Sequence, residues 1–291
     1  MSSPPSVRRL AVIGDPIAHS LSPLLQRHLI EHFGLPFRYE ALRVTAAQLP
    51  GLVARLRNGE LAGVNVTLPH KQAMVPLLDD LVAPAHRIAA VNTVVCERGL
   101  LLGHNTDVPG FARSLQAAGI AVRQETVLLL GAGGAAAAVL LALLEAGVDL
   151  IYISNRDASR PQRLLARLSP AGQAKVRLIS WPQRLELLQL PAVTLVINAT
   201  SAGMWPRVEI SPVPADLLHA GLTVVDLVYN PVTTRLLREA HAAGARTLSG
   251  LPMLIYQGVA ALELWSGQCL DITDLVPELE QKLQAALTGK S

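Results

Sequence analysis

The chain has 291 residues, 51% hydrophobic but only 3% aromatic, with a formal net charge of +3 from 25 basic and 22 acidic side chains. That length holds two domains with aliphatic cores. The basic residues are dispersed, with no basic stripe interleaved with aromatics, which argues against a nucleic-acid surface.

The start, MSSPPSVRRLAVIG, carries too short an apolar stretch for a signal peptide and reads as a disordered leader. RLAVIG (9–14) reads as a strand. In DPIAHSLSP, Ser22-Pro23 then offers an N-cap and first helical residue for a helix through His32. FRYEALR (37–43) is a second strand and 46–57 a helix. GVNVTLPHK (63–71) reads as a strand running into a helix opened by Pro69, and VNTVVCE (91–97) as another strand. GHNTDVPG (103–110) is a turn leading to a helix that ends near Gly119.

The middle of the chain is the most informative stretch. Val127–Leu130 read as a buried parallel strand, and Gly131, Gly133 and Ala136 fit G-x-G-x-x-G/A before an apolar helix that runs to Gly147. The first glycine permits a tight turn, the second lets a pyrophosphate approach the backbone, and the small Ala136 lets the helix pack on its strand. Thr126–Leu144 carries no charge, so hydropathy alone would also allow a membrane helix; its central glycines and polar flanks argue against one. Strands follow at 149–154, 176–180, 194–200 and 222–228, with helical stretches at 161–168 and 232–243. This alternation predicts an α/β protein: an N-terminal substrate domain with an open sheet, then a Rossmann-type doubly wound nucleotide domain.

Polar residues collect at the mouths of the upstream strands: Ser20, Ser22, Asn65, Thr67, Lys71, Asn92 and Asp107. Open α/β sheets bind ligands beyond the carboxyl ends of their strands. Hydroxyls and carboxamides donate and accept hydrogen bonds, which suits a polyhydroxylated ligand. Taken singly, Ser22 and Asp107 could equally cap helices, and Asn65 and Asn92 could shape turns. Lys71 is set apart by composition. Only Lys71, Lys175, Lys282 and Lys290 among the basic residues are lysines, so an amine persists there in a chain that otherwise uses arginine. A guanidinium cannot give up its proton near neutral pH. Cys96 and Cys269 lack ligand spacing and read as buried free thiols in a reducing cytoplasm, and the eight histidines form no metal-type cluster. His19, His70 and His104 beside the motifs read as structural or solvated.

The segments GDPIAHSLSP, GVNVTLPHK, VNT with GHNTDVPG, GAGGAAAA, SNR, NATSAGM, DLVYNPVTT and GLPMLIYQG, in that order, resemble the shikimate dehydrogenase family from residue 8 to about 285. The resemblance implies a cytoplasmic, NADP-dependent enzyme of aromatic amino-acid and chorismate biosynthesis, reducing 3-dehydroshikimate reversibly to shikimate. It implies a catalytic domain over 1–108, an NADP-binding domain over 109–249, and helices in 250–291 that return to the first. By motif position it assigns Ser20, Ser22 and Tyr229 to the substrate carboxylate. Asn65, Thr67, Asn92 and Gln257 fall to ring hydroxyls, and Lys71 with Asp107 to catalysis. For the cofactor it implies Gly131, Ala132, Gly133, Gly134, Ala135, Asn155, Arg156, Arg160, Thr200, Gly250 and Met253. No metal, nucleic-acid or membrane partner is implied, and the protein is expected as a monomer or homodimer.

One departure bears on the cofactor. NADP-using members commonly read Asn-Arg-Thr/Ser after the second nucleotide-domain strand, whereas this chain reads Asn155-Arg156-Asp157. Arg156 and Arg160 favour a 2′-phosphate, and Asp157 would repel one if it pointed inward, so NAD stays open. A quinate/shikimate dehydrogenase and a catalytically silent NAD(P)-binding regulator also remain as alternatives.

Overall fold

Buried apolar runs alternate with helices along the chain, and a computed structural model shows how they assemble; residues 7–288 are described. The expected leader lies almost wholly outside them. In the first part, β1 (Arg8–Gly14), α1 (Ser22–His32), β2 (Phe37–Arg43), α2 (Leu49–Arg57), β3 (Gly63–Val66), β4 (Asp80–Leu81), α3 (Ala85–Ile88), β5 (Thr93–Glu97) and β6 (Leu100–His104) follow in order. Then α4 (Asp107–Ala117) leads to β7 (Thr126–Leu130), α5 (Gly134–Glu145), β8 (Leu150–Ser154), α6 (Ser159–Leu165), α7 (Pro170–Ala174) and β9 (Val176–Ile179). The chain closes with α8 (Gln183–Leu188), β10 (Leu195–Asn198), β11 (Thr223–Asp226), α9 (Arg235–Ala242), β12 (Arg246–Leu248), α10 (Leu251–Ser266) and α11 (Val276–Thr288).

These elements form two units. One runs from Val7 to Gly110 and resumes over Leu254–Ala286; the other holds Phe111–Met253. The first has a mixed sheet of order β2-β1-β3-β5-β6-β4. Here β1 pairs parallel with β2 and β3, while β5 runs antiparallel between β3 and β6. The carboxyl ends of β3 and β6 therefore lie at the same edge as the start of β5, with Asn65 opposite Thr93 and Thr93 opposite His104. Ile13, Leu56, Val64, Met74 and Leu101 fill one core layer of this unit. Helix α10 seals the unit: Trp265 Nε1 donates to Val94 O at 3.0 Å, and Gln26 Nε2 of α1 donates to Gly258 O at 2.7 Å. Close approach is what glycine allows here, since a Cβ on Gly63 would lie 2.2 Å from Trp265 Nε1.

The second unit is a six-stranded parallel sheet of order β12-β11-β10-β7-β8-β9, the doubly wound order read from its far edge. Chain order reverses between β7 and β10, which pair Leu130 with Asn198 at their carboxyl ends. That is where open α/β sheets hold ligands. The uncharged run 126–144 divides into strand β7, a glycine turn and α5. Among the described residues no helix is long and apolar enough to cross a membrane.

Three expectations fail locally. The stretch after Pro69 is a series of turns ending in a 3-10 helix at Val75–Leu77, not an α-helix. Some of its polar groups go to tertiary partners instead: Lys71 O accepts from Val91 N, and His70 Nε2 contacts Val44 O. Ser22 is the first helical residue, not the cap; Leu21 holds the cap position, and Ser20 Oγ accepts the Ser22 N–H at 3.2 Å. Of the two free thiols expected to be buried, Cys269 is exposed and Cys96 only half-buried.

Candidate active site

In the first unit the edge that carries Asn65, Asn92 and Asp107 is a continuous hydrogen-bonded network. Lys71 Nζ donates to Asp107 Oδ2 at 2.5 Å, with both side chains largely buried. Asn92 holds Asp107 from the other side: its Nδ2 donates to Asp107 Oδ1 and to Thr106 Oγ1, each at 2.9 Å. The Asn92 Oδ1 accepts from Thr106 N at 2.7 Å and from Thr93 Oγ1 at 3.0 Å. Asn65 Nδ2 extends the chain to Thr93 Oγ1 at 3.0 Å, and Asn65 Oδ1 accepts from Tyr39 Oη at 2.6 Å. Burial pushes the Tyr39 phenol well above its usual range, so it remains a donor.

Asp107 sits in the first turn of α4 but does not cap it. Asn105 Oδ1 accepts the N–H groups of Asp107 at 3.1 Å and Val108 at 3.4 Å, which releases the Asp107 carboxylate for Lys71. Asn105 is itself tied to Ala90 O at 2.9 Å. Tyr39, Thr93, Asn105 and Thr106 were not singled out in the sequence. For Thr93, Asn105 and Thr106 the available signal was their place inside VNT and GHNTD; Tyr39, in the strand FRYEALR, carried none.

Ser20, Ser22 and Thr67 lie at the same strand edge, half-buried, after β1 and β3. Thr67 N donates to Ile13 O, which ties the two loops together. Gln257, on α10, donates to Leu254 O at 2.8 Å, and its backbone abuts Gly110 of α4 so closely that a Cβ there would fall 2.7 Å from Gln257 N. Tyr229 belongs to the other unit, just beyond β11, where burial raises its phenol.

In the second unit, Gly131 adopts φ +112° and would meet Ala199 O at 2.8 Å if it carried a Cβ. Thr200 stands beside it, its Oγ1 donating to Asn198 Oδ1 at 2.6 Å. Gly133 caps α5, and a Cβ there would meet nothing within 4 Å. That open space, with the N–H groups of Gly134 and Ala135 at the start of α5, suits a pyrophosphate. Ala136 is fully buried, as close helix–strand packing requires. Gly250 lies against Leu227 O, 2.2 Å from where its Cβ would be, and Met253 is buried. Asn155 Nδ2 donates to Asp157 O at 2.9 Å. The Asp157 carboxylate accepts from Ser159 N and Oγ and pairs with Arg160 at 3.4 Å. These hydrogen bonds hold Asp157 below the usual carboxylate range.

Known proteins show the family to which this chain belongs. Residues 12–94 match the family described as shikimate dehydrogenase substrate binding domain, 114–211 shikimate / quinate 5-dehydrogenase, and 250–269 the shikimate 5'-dehydrogenase C-terminal domain. The shikimate dehydrogenase (NADP(+)) of Moorella thermoacetica is 40% identical over 96% of this chain and 95% of its own. The chain belongs to the shikimate dehydrogenase family. Among solved members, shikimate 5-dehydrogenase from Thermus thermophilus in complex with NADP(H) and shikimate superposes with a TM-score of 0.84 at 40% identity, covering 96% of this chain and all of that one. Quinate dehydrogenase from Corynebacterium glutamicum in complex with NAD is also similar, with a TM-score of 0.85, 30% identity, and coverage of 98% and 100%. Among the described residues no cluster of three or more histidine, cysteine or acidic side chains is placed to hold a metal ion.

Proposed function

We propose that this chain is an NADP-dependent shikimate dehydrogenase, interconverting 3-dehydroshikimate and shikimate. The observation that carries the reading is the Lys71–Asp107 pair, 2.5 Å apart at a strand edge lined with carboxamides and hydroxyls. Oxidation of an alcohol needs a base for the hydroxyl proton as hydride leaves, and the reverse reaction needs an acid for the alkoxide. The Lys71 amine takes and returns that proton, and Asp107 orients it. Ser20, Ser22 and Tyr229 serve the ring carboxylate; Asn65, Thr67, Asn92 and Gln257 serve the ring hydroxyls.

NADP, when bound, accepts or returns the hydride. Residues 131–135 hold its pyrophosphate, Asn155, Arg156 and Arg160 its 2′-phosphate end, and Thr200, Gly250 and Met253 flank the rest. Asp157 supports this choice, because its carboxylate is engaged with Ser159 and Arg160. The unit of residues through 110 and 254–286 is the substrate domain, the unit 111–253 the NADP domain, and the enzyme works in the cytoplasm.

Initial rates with shikimate and quinate, each with NADP⁺ and NAD⁺, test the reading. Shikimate with NADP⁺ is expected to be the most efficient combination, at least tenfold above quinate. An extra hydroxyl left unpaired beside the carboxylate costs about 1–3 kcal/mol. Equal efficiency with quinate, or a preference for NAD⁺, would contradict it.

A further inference from the structure

Parallel strands β8 and β9 end side by side, Ser154 opposite Ile179, and Ser154 Oγ donates to Ser180 O at 3.1 Å. The residues that follow each strand therefore share one edge: Asn155-Arg156 after β8, and Trp181 with Arg184 after β9. Two cations gather on the Trp181 ring. The guanidinium carbon of Arg156 lies 5.6 Å from the ring centroid and that of Arg184 4.0 Å. Trp181 is itself packed on the core that includes Leu187 and Val213. Arg184 is fixed by backbone acceptors: its Nε donates to Pro212 O at 3.0 Å and its Nη1 to Trp181 O. Carbonyls orient a guanidinium without cancelling its charge. Among the described residues neither Arg156 nor Arg184 has a carboxylate partner, whereas Arg160 is paired with Asp157 at 3.4 Å.

We infer that Arg184, alongside Arg156 on the indole of Trp181, is a specificity-determining contact for the 2′-phosphate of NADP, an inference that rests on the NADP-dependent reading above. Two like charges held around one ring repel each other; partial burial and then Arg156 push the Arg184 guanidinium below its ordinary range. A dianionic phosphate monoester relieves that repulsion, and a planar guanidinium meets phosphate oxygens with paired N–H groups. Arg160 stays a contact of the phosphate end but shares its charge with Asp157, which leaves room for a further cation. NAD carries a bare ribose hydroxyl at this position, which gives a second cation nothing to bind.

Calorimetric titration of the full chain with NADP⁺, NAD⁺ and adenosine 2′-monophosphate tests this in wild type, Arg184→Met and Arg184→Lys. Methionine keeps an apolar stem over the indole and removes the charge. Affinity for NADP⁺ and for adenosine 2′-monophosphate is expected to fall roughly ten- to hundredfold in Arg184→Met, the scale of a lost charged hydrogen bond. NAD⁺ affinity is expected to stay within about twofold, and Arg184→Lys to fall between wild type and Arg184→Met for the phosphorylated ligands. Unchanged NADP⁺ binding in Arg184→Met, or an equal loss for NADP⁺ and NAD⁺, would overturn the inference. Should Arg184→Met fail to fold, Arg184→Lys decides alone: NADP⁺ must weaken more than NAD⁺. Wild-type protein that binds NAD⁺ as tightly as NADP⁺ would overturn the NADP reading itself, a different result from a wild-type preference that Arg184→Met leaves intact.

Discussion

The strand edge of the first unit and that of the second are built from opposite materials. Around Lys71 the buried carboxamides are committed: Asn92 uses both amide hydrogens and its oxygen, and Asn65 bridges Tyr39 to Thr93. Around Gly131–Ala135 the working parts are backbone and vacant space, with exposed arginines after the next strand. Proton transfer depends on geometry held within a fraction of an ångström, so its groups are buried and cross-braced. A diphosphate needs N–H groups and room to approach, which a positive φ and missing side chains supply. One edge is made by what the side chains hold, the other by what they leave out.

The strongest way to break this contrast is Lys71→Ala. Turnover should fall by roughly 10²–10⁴, the range for loss of a general acid/base, while shikimate binding changes much less. Steady-state kinetics that show near-normal turnover would remove Lys71 from the chemistry.

A sharper test uses the buried polar knot that the second unit also contains. Asp226 accepts from Thr234 Oγ1, Asn198 Nδ2 and Val228 N, yet burial outweighs these bonds and lifts its carboxyl to about 6. A folded-state pKa above the unfolded one gives a contribution complete below about pH 4 and lost as pH rises through about 6. The loss is at most about 3 kcal/mol. Urea midpoints of wild type and Asp226→Asn should therefore diverge in favour of the variant between pH 4 and about 6 and run parallel above. Parallel curves throughout would mean that Asp226 titrates normally.

Gly133→Val places side-chain atoms in the space reserved for pyrophosphate. NADP⁺ affinity should drop roughly ten- to hundredfold with little change in stability, since the site has no protein neighbour to clash with. The smallest effect concerns the device that frees Asp107. Asn105→Ala removes the acceptor for two N–H groups and should cost about 1–2 kcal/mol in thermal unfolding, with turnover falling alongside.

Much of this could be read from the chain before its fold was seen. The parallel sheet of the second unit followed from apolar runs of four or five residues, and the glycine spacing located the nucleotide turn. Lys71 stood out because lysine is scarce. What escaped was cooperative or local in a way that pattern does not encode. Strand β6 was hidden because Arg98 and Gly99 both take positive φ, +50° and +83°, to make a two-residue hairpin turn in which arginine gives no signal. Asn105 looked like one more polar residue beside Asp107, and only the fold shows that it does the capping. Likewise Tyr39 lies 26 positions from Asn65, and their bond depends on β1 standing between β2 and β3.

The division of labour between the two edges is tested most directly by titrating shikimate and NADP⁺ separately into Lys71→Ala and Gly133→Val. The account predicts a crossed pattern. Lys71→Ala binds NADP⁺ like wild type although its turnover collapses, and Gly133→Val binds shikimate like wild type although NADP⁺ binding is weakened. If either variant weakened both ligands to the same degree, the two edges would not be separate devices, and the account would be contradicted.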